Sequence, residues 1–298
     1  MRPVRRSYDE ATARGRIDGL LDAGTFREFC GPTARRSSPH LPALGLPVSF
    51  DDGVVVGEGR LDGRPVLIGS QEGGFMGGSV GEVHGAKLTG LLERGLDVEP
   101  AAVVLLLDSG GVRLQEANAG LIAMGEIQRA VFRVRAAGVP VIAAIGGRNG
   151  CYGGMSIVAR SCDWIVVSEQ GRLSISGPEV IEAVEGIEEF DAQDRALVWR
   201  TMGGKHRRLL GEVDALVENS IEAFRMAVIG WLEQPRPLDL AAVEAEHARL
   251  EARLRRFAEC RDGLDVWRDL GVERPEEIPE LDADAFNAVV ASMEERDR

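Results

Sequence analysis

AAVVLLLDSGG (101–111) is an apolar run that ends in Asp108, Ser109 and two glycines. A strand that is apolar at successive positions, rather than at alternate ones, is buried on both faces. The segment that follows, VRLQEANAGLIAMGEIQRAVFRVRAAG (112–138), has helical character. The same unit recurs on either side. PVLIGSQEGGFMGGS (65–79) leads into VGEVHGAKLTGLLERG (80–95), and VPVIAAIGGRNGCYGG (139–154) leads into MSIVARS (155–161). Apolar strands alternating with helices predict an α/β fold with a largely parallel sheet. No G-x-G-x-x-G follows a strand with an acidic residue at the required distance, which argues against a dinucleotide site. The rhythm predicts stacked turns of a ββα superhelix rather than a Rossmann sheet.

Working outward, VVVGEGRLDGRPVLIGS (54–70) holds two β-branched runs around Asp62-Gly63, a strong hairpin signal. DWIVVSE (163–169) and RLSIS (172–176) predict two further strands. Residues 7–22 predict a helix with Tyr8, Ala11, Ile17, Leu20 and Leu21 on one face, stopped by Gly24. Between them CGPTARRSSPHLPALGLPVSFDDG (30–53) predicts a long ordered loop, and loops of that length are often functional. In the tail Leu240, Val243, His247, Leu250, Leu254 and Phe257 are spaced as an a/d seam on one helix. The seam suits a partner helix and its own domain equally. From Pro235 onward there are 17 acidic and 10 basic residues. The expected organisation is a main domain over 1–234 and an acidic helical extension over 235–298.

The 298 residues carry a net charge of −13, a poor balance for a general nucleic-acid binder or an anionic membrane surface. No run approaches the roughly 18 apolar residues of a spanning helix. Cys30, Cys151, Cys162 and Cys260 are scattered, with no C-x-x-C. That fits a reducing compartment and no zinc ribbon, so the expectation is a cytoplasmic protein without an intrinsic metal.

Gly110-Gly111 and Gly153-Gly154 each close an apolar strand just before a helix. Helix starts leave N–H groups without intrahelical partners, and the macrodipole adds positive charge there. Glycine lets a ligand approach the backbone. Two such starts facing one point would form an oxyanion hole without a side-chain acid. A single Gly-Gly more often marks a tight turn. The recurrence of the pair after buried strands favours a site.

FMGGSVGEVHGAK (75–87), SGGVRLQEANAGL (109–121), GCYGGMSIVA (150–159) and SGPEVIE (176–182) resemble the carboxyltransferase branch of the crotonase-like superfamily, which includes the beta component of acetyl-CoA carboxylase. GPEVIE followed by EGIEEFDAQDR (185–195) and VWRTMGG (198–204) is similar to malonate decarboxylase beta subunits. The resemblance spans about residues 10–230, and the four-cysteine zinc ribbon of bacterial acetyl-CoA carboxylase is missing. The resemblance implies a crotonase-like ββα fold and a lyase subunit. It implies decarboxylation of a malonyl thioester, held on a small acyl carrier protein by a CoA-derived prosthetic group, to an acetyl thioester and CO2. It also implies a second crotonase-like subunit of the gamma type and, in biotin-dependent versions, a biotin carrier. Two alternatives remain: a carboxyltransferase moving CO2 between biotin and an acyl thioester, and a non-catalytic subunit that binds the carrier.

The expected oxyanion hole is Gly110 and Gly111 on one edge and Gly153 and Gly154 on the other. Gly77, Gly78 and Ser79 are expected along the thioester or its pantetheine arm, with Arg113, Glu116 and His84 from the motif blocks. His84 and Glu116 are candidate proton donors, and for both a satisfied structural role outweighs that reading. Met76, Met155 and Ile157 are candidate wall residues, with core packing the weightier reading. In GGKHRR (203–208), Lys205 and Arg207 are candidates for prosthetic-group phosphates or an acidic carrier, as is the pair Arg35-Arg36 in the long loop, and a solvated helix end is the equal alternative.

Overall fold

Eight residues, Arg64–Gln71, bring the hairpin's second strand into line with the first buried apolar run, and a sheet grows from that contact. The computed structural model describes residues 6–296. Helix α1 (Ala13–Leu20) starts at Thr12, whose hydroxyl accepts from the Gly15 amide. It is shorter than the periodicity predicts. Tyr8 and Ala11 pack beside it from a preceding turn. Strand β1 (Arg27–Phe29) and the hairpin β2 (Val54–Leu61) and β3 (Arg64–Gln71) are antiparallel. Then come α2 (Glu82–Val98), β4 (Ala102–Leu107), α3 (Asn118–Ala136), β5 (Val141–Ile145), β6 (Cys151–Tyr152), α4 (Gly154–Arg160), β7 (Trp164–Ser168) and β8 (Leu173–Ser174). Helices α5 (Pro178–Glu185), α6 (Arg195–Met202) and α7 (Gly204–Leu209) precede β9 (Ala215–Val217) and α8 (Ile221–Gly230).

The main sheet has seven strands in the order β1-β2-β3-β4-β5-β7-β9. From β3 onward every pairing is parallel. The order never reverses, unlike the doubly wound sheet whose switch point holds dinucleotides. Both faces are covered. Val103, Leu105 and Leu107 point into a cluster with Leu88, Leu91, Ile127 and Val131 of α2 and α3. Ala102, Val104 and Leu106 point into the opposite cluster with Ile17, Leu20, Ile221 and Phe224 of α1 and α8. That two-sided burial is why the strands are apolar throughout.

Past each glycine turn the chain joins a second, smaller parallel ladder. Val80 pairs with Val112, Ser109 with Cys151, and β6 with β8. Each repeat is therefore a main-sheet strand, a short ladder segment and a helix, the ββα superhelix expected from the rhythm.

Helix α9 (Leu240–Arg256) follows, with Asp239 as N-cap and no buried residue. Leu240, Val243 and Leu254 are exposed. The helix meets the body through charged groups: Arg160 with Glu246, and Arg253 with Glu212. Helices α10 (Gly263–Asp269) and α11 (Ala283–Arg296) behave differently. Val266, Trp267, Ile278, Phe286 and Val290 join the α2/α3-side core, and Trp267 Nε1 donates to His206 Nδ1 at 3.0 Å. The segment after Pro235 thus contributes to the core of the main domain, apart from the outlying α9.

Trp267→Ala should cost about 3–5 kcal/mol, as for other buried aromatic truncations. Urea unfolding followed by circular dichroism should show one transition at a lower midpoint. A separate early loss of helix with the main transition unmoved would mark the tail as an independent unit.

Candidate active site

The glycine turns converge because the second ladder draws them together. The Gly110 amide donates to Gly77 O at 2.9 Å, and the Val80 amide donates to Gly111 O at 2.9 Å. A Cβ built on Gly153 would lie 3.2 Å from Gly111 Cα and 3.9 Å from Val112 N. Gly111 and Gly153 take φ of 113° and 60°, the region that favours glycine. Gly78 has backbone so close that a Cβ would lie 1.8 Å from Asp108 O. The three groups, Gly77-Gly78, Gly110-Gly111 and Gly153-Gly154, therefore meet at one place on the fold.

The amides divide by partner. Gly110 N–H, Gly111 N–H and Gly153 N–H are used by Gly77 O, Ser109 Oγ and Ile175 O. Among the described residues no acceptor is recorded for the Val112 and Gly154 amides. Gly154 is the first residue of α4, so its N–H carries the helix-start charge. The available donors are thus Val112 and Gly154, while Gly110, Gly111 and Gly153 shape their approach. Sequence reasoning missed Val112; the signal was its place directly after the glycine pair. A Cβ on Gly154 would meet Met124 Sδ at 2.5 Å, so this glycine also lets α4 sit close to α3.

Behind the turn lies a buried charge network. Arg113 is fully buried, and its Nη1 donates to Asp52 Oδ1 and Oδ2 at 3.1 and 3.0 Å and to Glu116 Oε1 at 2.7 Å. Its Nη2 donates to Ser79 O at 3.1 Å. Asp52 also accepts from the His84 and Ser38 amides, and Glu116 from the Glu82 amide at the start of α2. Burial pushes the Asp52 carboxyl up, against the pull of Arg113. Glu116 is held below the usual range by the Glu82 amide, Ser38 and Arg113, against the effect of its burial. His84 is pushed down to about 3 by burial, then by Arg113 and Lys87. It is neutral at physiological pH, with Nδ1 on Asp52 O and Nε2 on Gln71 Nε2.

The side chains of His84, Arg113 and Glu116 are therefore turned inward, contrary to the expected contact with the thioester. The reason is Asp52, in the long loop, whose buried carboxylate requires a counter-charge. Lys205 and Arg207 are likewise spent inside the fold. Lys205 Nζ donates to Glu169 Oε1 and Pro279 O, and Arg207 to Glu212 Oε2 and Thr201 O. Ser79 directly follows Gly78, with its Oγ on Met76 O at 2.7 Å. Met155 is buried, and Ile157 is exposed on the same helix. Sequence reasoning also passed over Asp108, which accepts from Arg16 Nη2 at 2.8 Å and from the Asn149 amide at 2.9 Å. Its signal was a lone carboxylate ending a fully apolar strand.

Apolar side chains on the segments that carry these turns are exposed: Leu114, Leu121 and Ile122 after the first, and Ile157 and Ile175 after the second. Among the described residues one ligand-type set, His40, Glu82 and Glu116, comes within 4.8 Å. Its Glu116 is already committed to Arg113 and the Glu82 amide. No helix among the described residues is long and apolar enough to cross a membrane.

The carboxyl transferase domain family matches residues 5–226. A malonyl-S-ACP:biotin-protein carboxyltransferase of Malonomonas rubra is 41 % identical over 303 aligned residues, covering 95 % of each chain. The acetyl-CoA carboxylase carboxyl transferase subunit beta of Fusobacterium nucleatum is 34 % identical over 59 % of each chain. Among solved structures, a chain of a Pseudomonas malonate decarboxylase hetero-tetramer in complex with malonate superposes with a TM-score of 0.81 and 40 % identity, covering 89 % of this chain and 98 % of that one. A transcarboxylase 12S chain with methylmalonyl-coenzyme A bound superposes with a TM-score of 0.64 and 29 % identity, covering 74 % of this chain and 40 % of that one. With its stacked ββα repeats and its paired glycine turns, the chain belongs to the carboxyl transferase domain family and has the crotonase-like fold.

Proposed function

We propose that this chain is the beta-type subunit of a malonate decarboxylase and that its glycine cleft stabilises the enolate of an acetyl thioester. The observation that carries the reading is the meeting of two glycine turns with uncommitted Val112 and Gly154 amides. Similarity along nearly the whole length of a malonate decarboxylase chain supports the substrate class.

The chemistry follows from the donors. The bond between the malonyl α-carbon and its carboxylate breaks, CO2 leaves, and the electron pair moves into the thioester carbonyl. The resulting oxyanion lies within reach of the two N–H groups, and one such donor is typically worth ~3–4 kcal/mol. A proton then reaches the α-carbon and gives the acetyl thioester. His84, neutral and enclosed, is read as a positioning residue, as are Arg113 and Glu116. The thioester arrives on an acyl carrier protein through a CoA-derived prosthetic group, and the chain itself holds no cofactor. The apolar rim at Leu114, Leu121, Ile157 and Ile175 suits a second crotonase-like subunit of the gamma type closing over the cleft. Hetero-oligomeric malonate decarboxylases among the structural relatives support such a partner.

A second reading has one specific support. The Malonomonas relative is named for transfer to a biotin protein. In that version the same enolate forms and the carboxyl group passes to a biotin carrier. A carrier-binding subunit without chemistry of its own is the third reading, and an assay separates it.

Gly110 has room for a side chain without a positive φ, with only Gly77 O within 4 Å of a built Cβ. Gly110→Val should lower malonyl-thioester turnover at least about tenfold while leaving the thermal midpoint nearly unchanged. A folded variant with full turnover would remove this edge from the site. The isolated chain should decarboxylate malonyl thioester weakly, and a gamma-type subunit should restore the rate and shift sedimentation to a heteromer. Full activity in a monodisperse monomer would defeat the shared cleft. Activity strictly dependent on a biotin carrier would select the transfer reading.

A further inference from the structure

A cavity of about 690 Å³ lies between α2 and β1. Its floor and walls are apolar: Phe29, Val56, Val83, Ala86 and Leu91. Four cations line it, Arg27, Arg36, Lys87 and Arg94, and no Asp or Glu does. In a chain of net charge −13 that is a pronounced local reversal. Arg27 is neutralised by Glu58 at 2.6 Å. Arg36 and Arg94, among the described residues, have no ion pair or hydrogen bond. Lys87 is only 8 % exposed. Its ammonium donates to the carbonyls of Asp51 and Val54, with the nearby Asp51 and Glu28 carboxylates offsetting part of its charge and one of its three donors unassigned. A buried cation is costly unless paired with an anion or well solvated.

An apolar groove with uncompensated cations at its margin matches a molecule with the same division. The few polar groups on the walls fit a hydrocarbon better than a base or sugar. Lining residues run from Val83 to Arg94 along α2, a rise of about 16 Å for eleven residues. We propose that this groove is a ligand site for an aliphatic anion, its chain laid along α2 and its carboxylate or phosphate held by Arg36, Arg94 and Lys87. The site shares no lining residue with the glycine cleft and does not depend on the decarboxylase reading. A free fatty acid and the acyl chain of a thioester offer the same chemistry, and the two are distinguished by titration.

Gly90 provides a plug. It lies on the exposed side of α2, lines the groove, and has nothing within 4 Å of a built Cβ. Gly90→Leu should fill the groove and, by helix propensity, leave the fold intact. The experiment is isothermal titration of the full chain with dodecanoate, dodecanoyl-CoA and, as a short-chain control, butyrate. Wild type should bind dodecanoate saturably at one site and butyrate undetectably. Gly90→Leu and the double variant Arg36→Ala/Arg94→Ala should each weaken binding about tenfold or more. Binding of dodecanoyl-CoA alone, lost in Gly90→Leu, would keep the site and assign it to a thioester chain. No saturable binding of either probe, or the same affinity in wild type and both variants, overturns the proposal.

Discussion

The guanidinium of Arg113 joins three stretches of chain that have no reason to meet otherwise. Through Asp52 it holds the loop at 30–53, through Ser79 O and Glu116 the entry to α2, and through its own backbone the turn after β4. All of it is shielded from water. Removing one partner from such a set strands a buried charge, which typically costs ~3–5 kcal/mol, so the network is all-or-none. The amide of Val112 sits one residue away. The placement of that donor is inherited from electrostatics behind it.

The main sheet and the small ladder divide the work. The sheet supplies rigidity: its apolar strands are locked between two helical layers. The ladder supplies convergence, since Val80–Val112 and Ser109–Cys151 bring consecutive turns side by side. A singly wound sheet has no crevice at a strand-order reversal, so a ligand site must be built elsewhere. The backbone of the turns offers one such place, and glycine suits it because Gly111 and Gly153 take positive φ and a Cβ on Gly153 would lie 3.2 Å from Gly111 Cα.

Much of this was legible in sequence because it rests on periodicity and on residues with special backbone freedom. AVVLLL (102–107) and Asp62-Gly63 determine their strands locally, and the paired glycines mark the turns that meet. What was not legible depends on contacts distant in sequence. Asp52 lies 61 residues from Arg113, and no local pattern links them. Their motif blocks therefore offer Arg113, Glu116 and His84 as substrate contacts, and only the fold shows that their charges and ring nitrogens close on one another and on the long loop. GGKHRR misled for a similar reason. A cluster of cations looks solvated until Glu169, Glu212 and the Trp267 ring are brought to it by the fold. The seam on α9 was read correctly as a stripe, but its spacing could not say which side would face the body.

That helix is held by contacts of one kind and presents another. Its attachment is charged, Arg160 to Glu246 at 3.1 Å with both side chains partly exposed and Arg253 to the buried Glu212 at 2.6 Å, whereas its stripe of Leu240, Val243 and Leu254 is apolar and exposed. Dissolved salt screens the exposed pair, spares the buried one and does not weaken the apolar stripe. Rising ionic strength therefore frees one side of α9 while Glu212 keeps it tethered and its apolar stripe keeps its pull on an outside surface.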